Sequence, residues 1–103
     1  MKTDDLISGL PGEAHVRQGL ADLQSGRHTA SACLVSIARL RLSNAGLLDR
    51  SAPSMQEPEL QLYRLLRSQG GDAYSQYNAL LRELISFEQA LDPRLRKLRS
   101  TDS

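Results

Sequence analysis

A chain of 103 residues, with 40 % hydrophobic and 24 % charged side chains, has the size and composition of one globular domain rather than a disordered segment. Its 13 basic and 12 acidic residues leave a net charge of +1, without the basic excess of a typical duplex-binding domain. One cysteine, Cys33, excludes an intrachain disulfide, and no stretch approaches the roughly 18 apolar residues of a membrane span.

The first ten residues, MKTDDLISGL, place two acids where a secretion signal needs an apolar run, so a reducing cytoplasm is the expected compartment. Residues 1–9 are expected to fray, with Leu6 and Ile7 available as a hydrophobic staple or a short extra turn. Gly9-Leu10-Pro11-Gly12 breaks the chain, and Pro11 suits the first position of a helix. Val16, Leu20 and Leu23 then share one helical face, with the small Gly19 beside it to admit a close neighbour. Ser25-Gly26 supplies the stop.

A second helix is predicted from about Ala30 to Asn44, capped by Thr29 and stopped by Gly46. Its middle, Ala32 to Ala38, is apolar nearly all round, which marks a helix wrapped by partners. It reads as the central helix, or as one shared between the core and a second subunit. Residues 47–57 form a connector loop anchored by Leu47 and Leu48. The third helix starts at Pro58, buries Leu62, Leu65 and Leu66, and ends at Gly70-Gly71. Glu57 and Glu59 at its start and Arg64 and Arg67 near its end follow the helix dipole.

Asp72 caps the fourth helix, predicted from Ala73 to about Leu91 with Tyr77, Leu80, Leu81, Leu84, Ile85 and Leu91 on its apolar stripe. The two-glycine turn before it implies an antiparallel hairpin. Asp92 and Pro93 read as the cap and first residue of a short last helix, with residues 100–103 frayed. The expected fold is a single all-α domain: a compact bundle of four main helices plus a short C-terminal helix, joined by antiparallel hairpin connections.

Candidate chemistry is sparse. His15 and Asp22 fall two turns apart on one side of the first helix, about 10 Å along the axis, which is too far for a direct hydrogen bond. A metal would need further ligands, and His28 is the only other histidine. Cys33 lies in an apolar helix centre, the setting of a buried core thiol rather than a nucleophile. Ser8-Gly9-Leu10-Pro11-Gly12 precedes a helix N-terminus, where anions bind, but lacks the Lys-Ser/Thr ending and the strand of a P-loop. No catalytic, cofactor or metal residue is assigned, and no cofactor is expected.

Glu88 is the charged residue nearest the apolar stripe of the fourth helix and is expected to pair with an arginine across the core or across a subunit interface. Tyr74, Tyr77, Arg82 and Glu88 could share a groove. Val35, Leu42, Tyr77 and Glu88 are the candidate interface residues. Arg94, Arg96, Lys97 and Arg99 are the candidate contacts for an anion or a partner surface.

The stretch Leu10-Pro11-Gly12-Glu13-Ala14-His15-Val16-Arg17-Gln18-Gly19-Leu20-Ala21-Asp22-Leu23, followed by Gly26-Arg27 and the apolar second helix, resembles small bacterial α-helical proteins with no assigned activity. The resemblance covers about the first half of the chain and carries over no functional residue. It implies a bacterial, cytoplasmic source. The expected function is a non-enzymatic interaction or regulatory module, homodimeric because the second and fourth helices have more apolar width than so short a chain covers easily. The alternatives are a nucleic-acid-associated regulator using the Arg-rich C-terminal segment, and a ligand-binding or enzymatic helical domain.

Overall fold

The computed structural model describes residues 6–101, with side chains described for residues 6–98. Five helices follow the Leu6–Ile7 turn: α1 Glu13–Gln24, α2 Ala30–Ile37, α3 Arg39–Asn44, α4 Pro58–Ser68 and α5 Ala73–Thr101. There is no strand among the described residues. The all-α bundle is as expected, but its division into helices differs at three points.

The first helix starts at Glu13 rather than Pro11. Gly12 holds φ 76°, a left-handed conformation outside the helix, so the ladder cannot extend back to the proline. The Glu13 carboxylate instead folds back and accepts the Gly9 N–H at 2.8 Å.

The second expected helix is two. Ala38 has ψ 15°, in the bridge region between helix and strand, and separates α2 from α3. The hydrogen-bond ladder still crosses it, from the Ala38 N–H to Leu34 and from the Leu42 N–H to Ala38. The discontinuity is a local distortion of the helix, not a loop.

The last two expected helices are one. Pro93 lies inside α5, and Asp92 is not a cap. A proline removes the N–H that would bond the carbonyl four residues back, here that of Gln89. Both Gln89 and Pro93 are solvent-exposed, so water can take the freed carbonyl. Leu91, fully buried, and Arg94, bonded to the N-terminal segment, hold the helix on both sides of the proline.

Helix α2 is the centre of the core. Ala32, Cys33, Leu34 and Val35 are all buried, covered by α1, α4 and α5 of the same chain. Gly19 makes the α1 side possible. A Cβ there would sit 2.2 Å from the Ser31 carbonyl oxygen and 2.4 Å from Val35 Cγ2. Helix α2 is joined to α1 by a cap shared between them. Thr29 Oγ1 accepts the Ala32 N–H at 3.1 Å and donates its own proton to Asp22 Oδ2 at 2.6 Å.

Helices α4 and α5 form the expected antiparallel hairpin, turning at Gly70 and Gly71 with φ of 83° and 78°. Asp72 caps α5 by accepting the Ser75 N–H at 3.1 Å. Tyr63 and Tyr77 meet edge-to-face across the hairpin, with ring centroids 5.9 Å apart. The buried stripe of α5 is Ala73, Leu84, Phe87 and Leu91. Ile85, expected on that stripe, is 52 % exposed, and Phe87, which no sequence argument singled out, is fully buried.

The N-terminal segment also packs. Leu6, Ile7 and Leu10 are in the core, so the fraying expected over residues 1–9 does not reach Leu6. Residues 1–5, 102 and 103, and the side chains of residues 99–101, lie outside the described residues.

Two substitutions test this packing. Gly19→Ala is expected to lower unfolding free energy by about 2–3 kcal/mol, because the obstructing atom is backbone and cannot swing away. The exposed Ala21→Ser should change it by less than about 0.5 kcal/mol in the same urea titration. On α5, Phe87→Ala should lose about 3–5 kcal/mol and Ile85→Ala less than about 1 kcal/mol. The reverse order would mean that α5 is rotated.

Candidate functional site

The feature that the core does not absorb is a groove between α3 and the last turns of α5. Its position follows from how α3 is held. After the distortion at Ala38, Arg39 spans the connector and donates to the carbonyl oxygens of Arg50 at 3.1 Å, Ala52 at 2.6 Å and Pro53 at 2.9 Å. Leu42, fully buried, fixes the rotation of α3. Leu40 is two residues earlier, about 200° round the helix. It therefore points away from the core and is 76 % exposed.

The facing wall is α5. Arg94 turns toward the N-terminal segment and donates to the carbonyl oxygens of Leu6 at 3.0 Å and Ser8 at 2.6 Å. Leu95 packs partly on the core, and Arg96 is exposed. Between the walls runs an open groove of about 570 Å³, with Leu40, Ala45 and Leu95 as its apolar lining and Arg41, Asp92 and Arg96 as polar lining. Arg41 bridges the two helices. Its Nε lies 2.9 Å from Glu88 Oε2 and its Nη1 lies 3.3 Å from Asp92 Oδ2. Glu88 thus has the arginine partner expected of it, within the chain.

The expected interface residues are not gathered here. Val35 and Leu42 are fully buried inside the chain's own core and present nothing to a second copy. Tyr77 is engaged with Tyr63, and Glu88 with Arg41 roughly three turns further along α5, so they do not line one groove with Tyr74 and Arg82. Of the four cations expected to contact an anion or partner, Arg94 is committed to backbone carbonyls. Arg96 lines the groove and Lys97 is exposed on the same turn. The Arg99 side chain is outside the described residues.

His15 and Asp22 are also parted. His15 Nδ1 lies 2.7 Å from Glu83 Oε1 on α5, with both side chains close to half exposed. The cavity beside that pair is about 10 Å³, no more than a single water needs. Asp22 is 3 % exposed and is held by Thr29 and by Gln18 Nε2 at 2.8 Å. The Thr29 hydroxyl above all, with Gln18 and Arg27 adding to it, outweighs burial and keeps the Asp22 carboxyl below the usual carboxylate range.

Burial pushes the Cys33 thiol up, away from the thiolate a nucleophile needs. In the Ser8–Gly12 turn the Gly9 N–H is spent on Glu13, and Arg17 Nε contacts the same carboxylate at 2.6 Å. That turn is a helix entry rather than an anion cradle. Among the described residues, no three His, Cys, Asp or Glu side chains gather to hold a metal ion.

Leu40 is the residue that sequence reasoning missed. The signal was present: Leu34, Ala38 and Leu42 repeat every four residues, and Leu40 lies opposite them. It was hidden because the preceding segment is apolar on every side.

Asp22 carries a pH prediction. A carboxyl lowered in the folded state contributes stability that is present above its unfolded value, about pH 4, and is lost as pH falls through the folded value. Asp22→Asn should therefore lower Tm at neutral pH and shrink the fall in Tm between neutral and acid pH, followed by circular dichroism. An unchanged acid limb would remove Asp22 as a contributor.

In comparisons with known proteins, no protein-family model, no curated protein and no solved structure matches the chain.

Proposed function

We propose that this chain is a non-catalytic protein–protein interaction module whose contact surface is the groove between α3 and the C-terminal part of α5. The observation that carries the reading is Leu40. A leucine 76 % exposed at an apolar-lined, polar-rimmed groove has the composition of an interface core surrounded by its rim. The groove's shape is held from both sides by Arg39 and Arg94, so binding would need little ordering of the backbone.

Of the two helices whose apolar width suggests a second copy, the central one is covered by α1, α4 and α5 within one chain, so the interaction reading does not require self-association. A buried, unpaired Cys33 accords with a reducing compartment such as the cytoplasm.

The test is a photo-crosslinking residue placed at position 40 in the full chain and, as controls, at the exposed Tyr74 and Ile85. Discrete protein adducts at position 40, exceeding those at 74 and 85, are expected. Adducts equal at all three positions would place the contact surface elsewhere.

A further inference from the structure

Helix α5 continues past a residue that ordinarily ends one. Pro93 cannot bond back to the Gln89 carbonyl, and a proline ring crowds the turn before it. Ahead of the proline the helix is well held, with Leu91 fully buried and Asp92 meeting Arg41. Beyond it, residues 94–101 depend on contacts of their own. Leu95 packs only partly against the core, and Arg96 and Lys97 are exposed. Arg94, the first residue after the proline, donates to the carbonyl oxygens of Leu6 at 3.0 Å and Ser8 at 2.6 Å. We infer that this contact is a latch: residues 6–8, through Arg94, keep α5 helical past Pro93 and so control whether the α3/α5 groove has its second wall, a regulation that rests on the interaction reading of the groove given above.

The N-terminal segment is built to dock and release as a unit. Leu10 donates its N–H to Ile7 and Glu13 donates to Leu10, and the Gly9 N–H goes to the Glu13 carboxylate, so these bonds survive its movement as a piece. Gly9 and Gly12, at φ 81° and 76°, give it pivots that leave α1 in place. Its hold on the rest of the chain combines the Arg94 latch with the burial of Leu6, Ile7 and Leu10. The Arg94 charge also acts on the Glu13 carboxylate at the far end of the segment.

The groove follows the latch because Leu95 and Arg96, which line its α5 side, come directly after Arg94. With residues 6–8 docked, they face Leu40 and Ala45 across the groove. With residues 6–8 withdrawn, the missing bond at Pro93 is the weak point of α5, and the helix frays from there to its end. The coupling is reciprocal: a partner seated in the groove favours the docked segment and slows its opening.

The test is residue-resolved amide hydrogen exchange on the full chain and on three variants: Arg94→Ala, Leu6→Ala, and Arg94→Ala combined with Pro93→Ala. In Arg94→Ala, exchange at residues 95–98 is expected to rise at least about 10-fold more than exchange at residues 80–90. Leu6→Ala leaves Arg94 intact but loosens the docked segment, and should give the same preferential rise. Pro93→Ala returns the missing helical hydrogen bond, so it should cancel the rise in the Arg94→Ala background. Photo-crosslinks from position 40 should fall at least about 5-fold in Arg94→Ala and return in the double variant.

Lack of a preferential rise at residues 95–98 in either single variant would overturn the latch, and so would a rise that Pro93→Ala leaves in place. A preferential rise with crosslinks at position 40 undiminished would overturn the control of the groove and leave the interaction reading standing. Crosslinks absent from position 40 in the unaltered chain would end the interaction reading, and the exchange rates tell that failure apart from failure of the latch.

Discussion

The rest of the structure depends on the closeness of two backbones at Gly19. With no Cβ in the way, the Ser31 carbonyl and the Val35 side chain rest directly against α1. That approach lets α2 turn one apolar side to α1 and leave the others for α4 and α5. The Asp22–Thr29 hydrogen bond closes the turn between the two helices, so one hydroxyl both caps α2 and donates a hydrogen bond to a buried carboxylate. A helix apolar nearly all round can then be wrapped by a single short chain.

The second organising element is the use of arginine as a backbone clamp. Arg39 gathers three carbonyls of the connector, and Arg94 gathers two from the N-terminal segment. A guanidinium presents several donors in a rigid plane, whereas a lysine ammonium is a single point on a flexible stem. At these two positions arginine rather than lysine has a structural reason. Both clamps hold irregular backbone against helix ends, which is where short helical proteins otherwise open first.

The two clamps also give the groove its character. They hold the backbone beside each of its walls while α3 turns Leu40 outward. The groove on which the proposed interaction rests lies between α3 and the end of α5. The His15–Glu83 contact, the one close histidine–carboxylate pair among the described residues, joins α1 to α5 beside a cavity too small for a substrate.

What the sequence determined by itself is what neighbouring residues decide among themselves. Thr29 and Asp72 cap their helices, Gly26, Gly46 and Gly70 stop theirs with positive φ, Pro58 opens α4, and Leu47 and Leu48 anchor the connector. Each rests on interactions within a few residues, and so did the all-α class and the α4/α5 hairpin. The close approach at Gly19 was legible as a small residue beside an apolar face. The tertiary structure decided the rest. Whether Ala38 distorts a helix, whether Pro93 ends one, and which of Ile85 and Phe87 turns inward depend on groups far along the chain. Arg39 and its connector, Arg94 and Leu6, and His15 and Glu83 are partners that no local period brings together. The groove belongs to that second class, because the exposure of Leu40 follows only once Leu42 has been buried on the other side of the same helix.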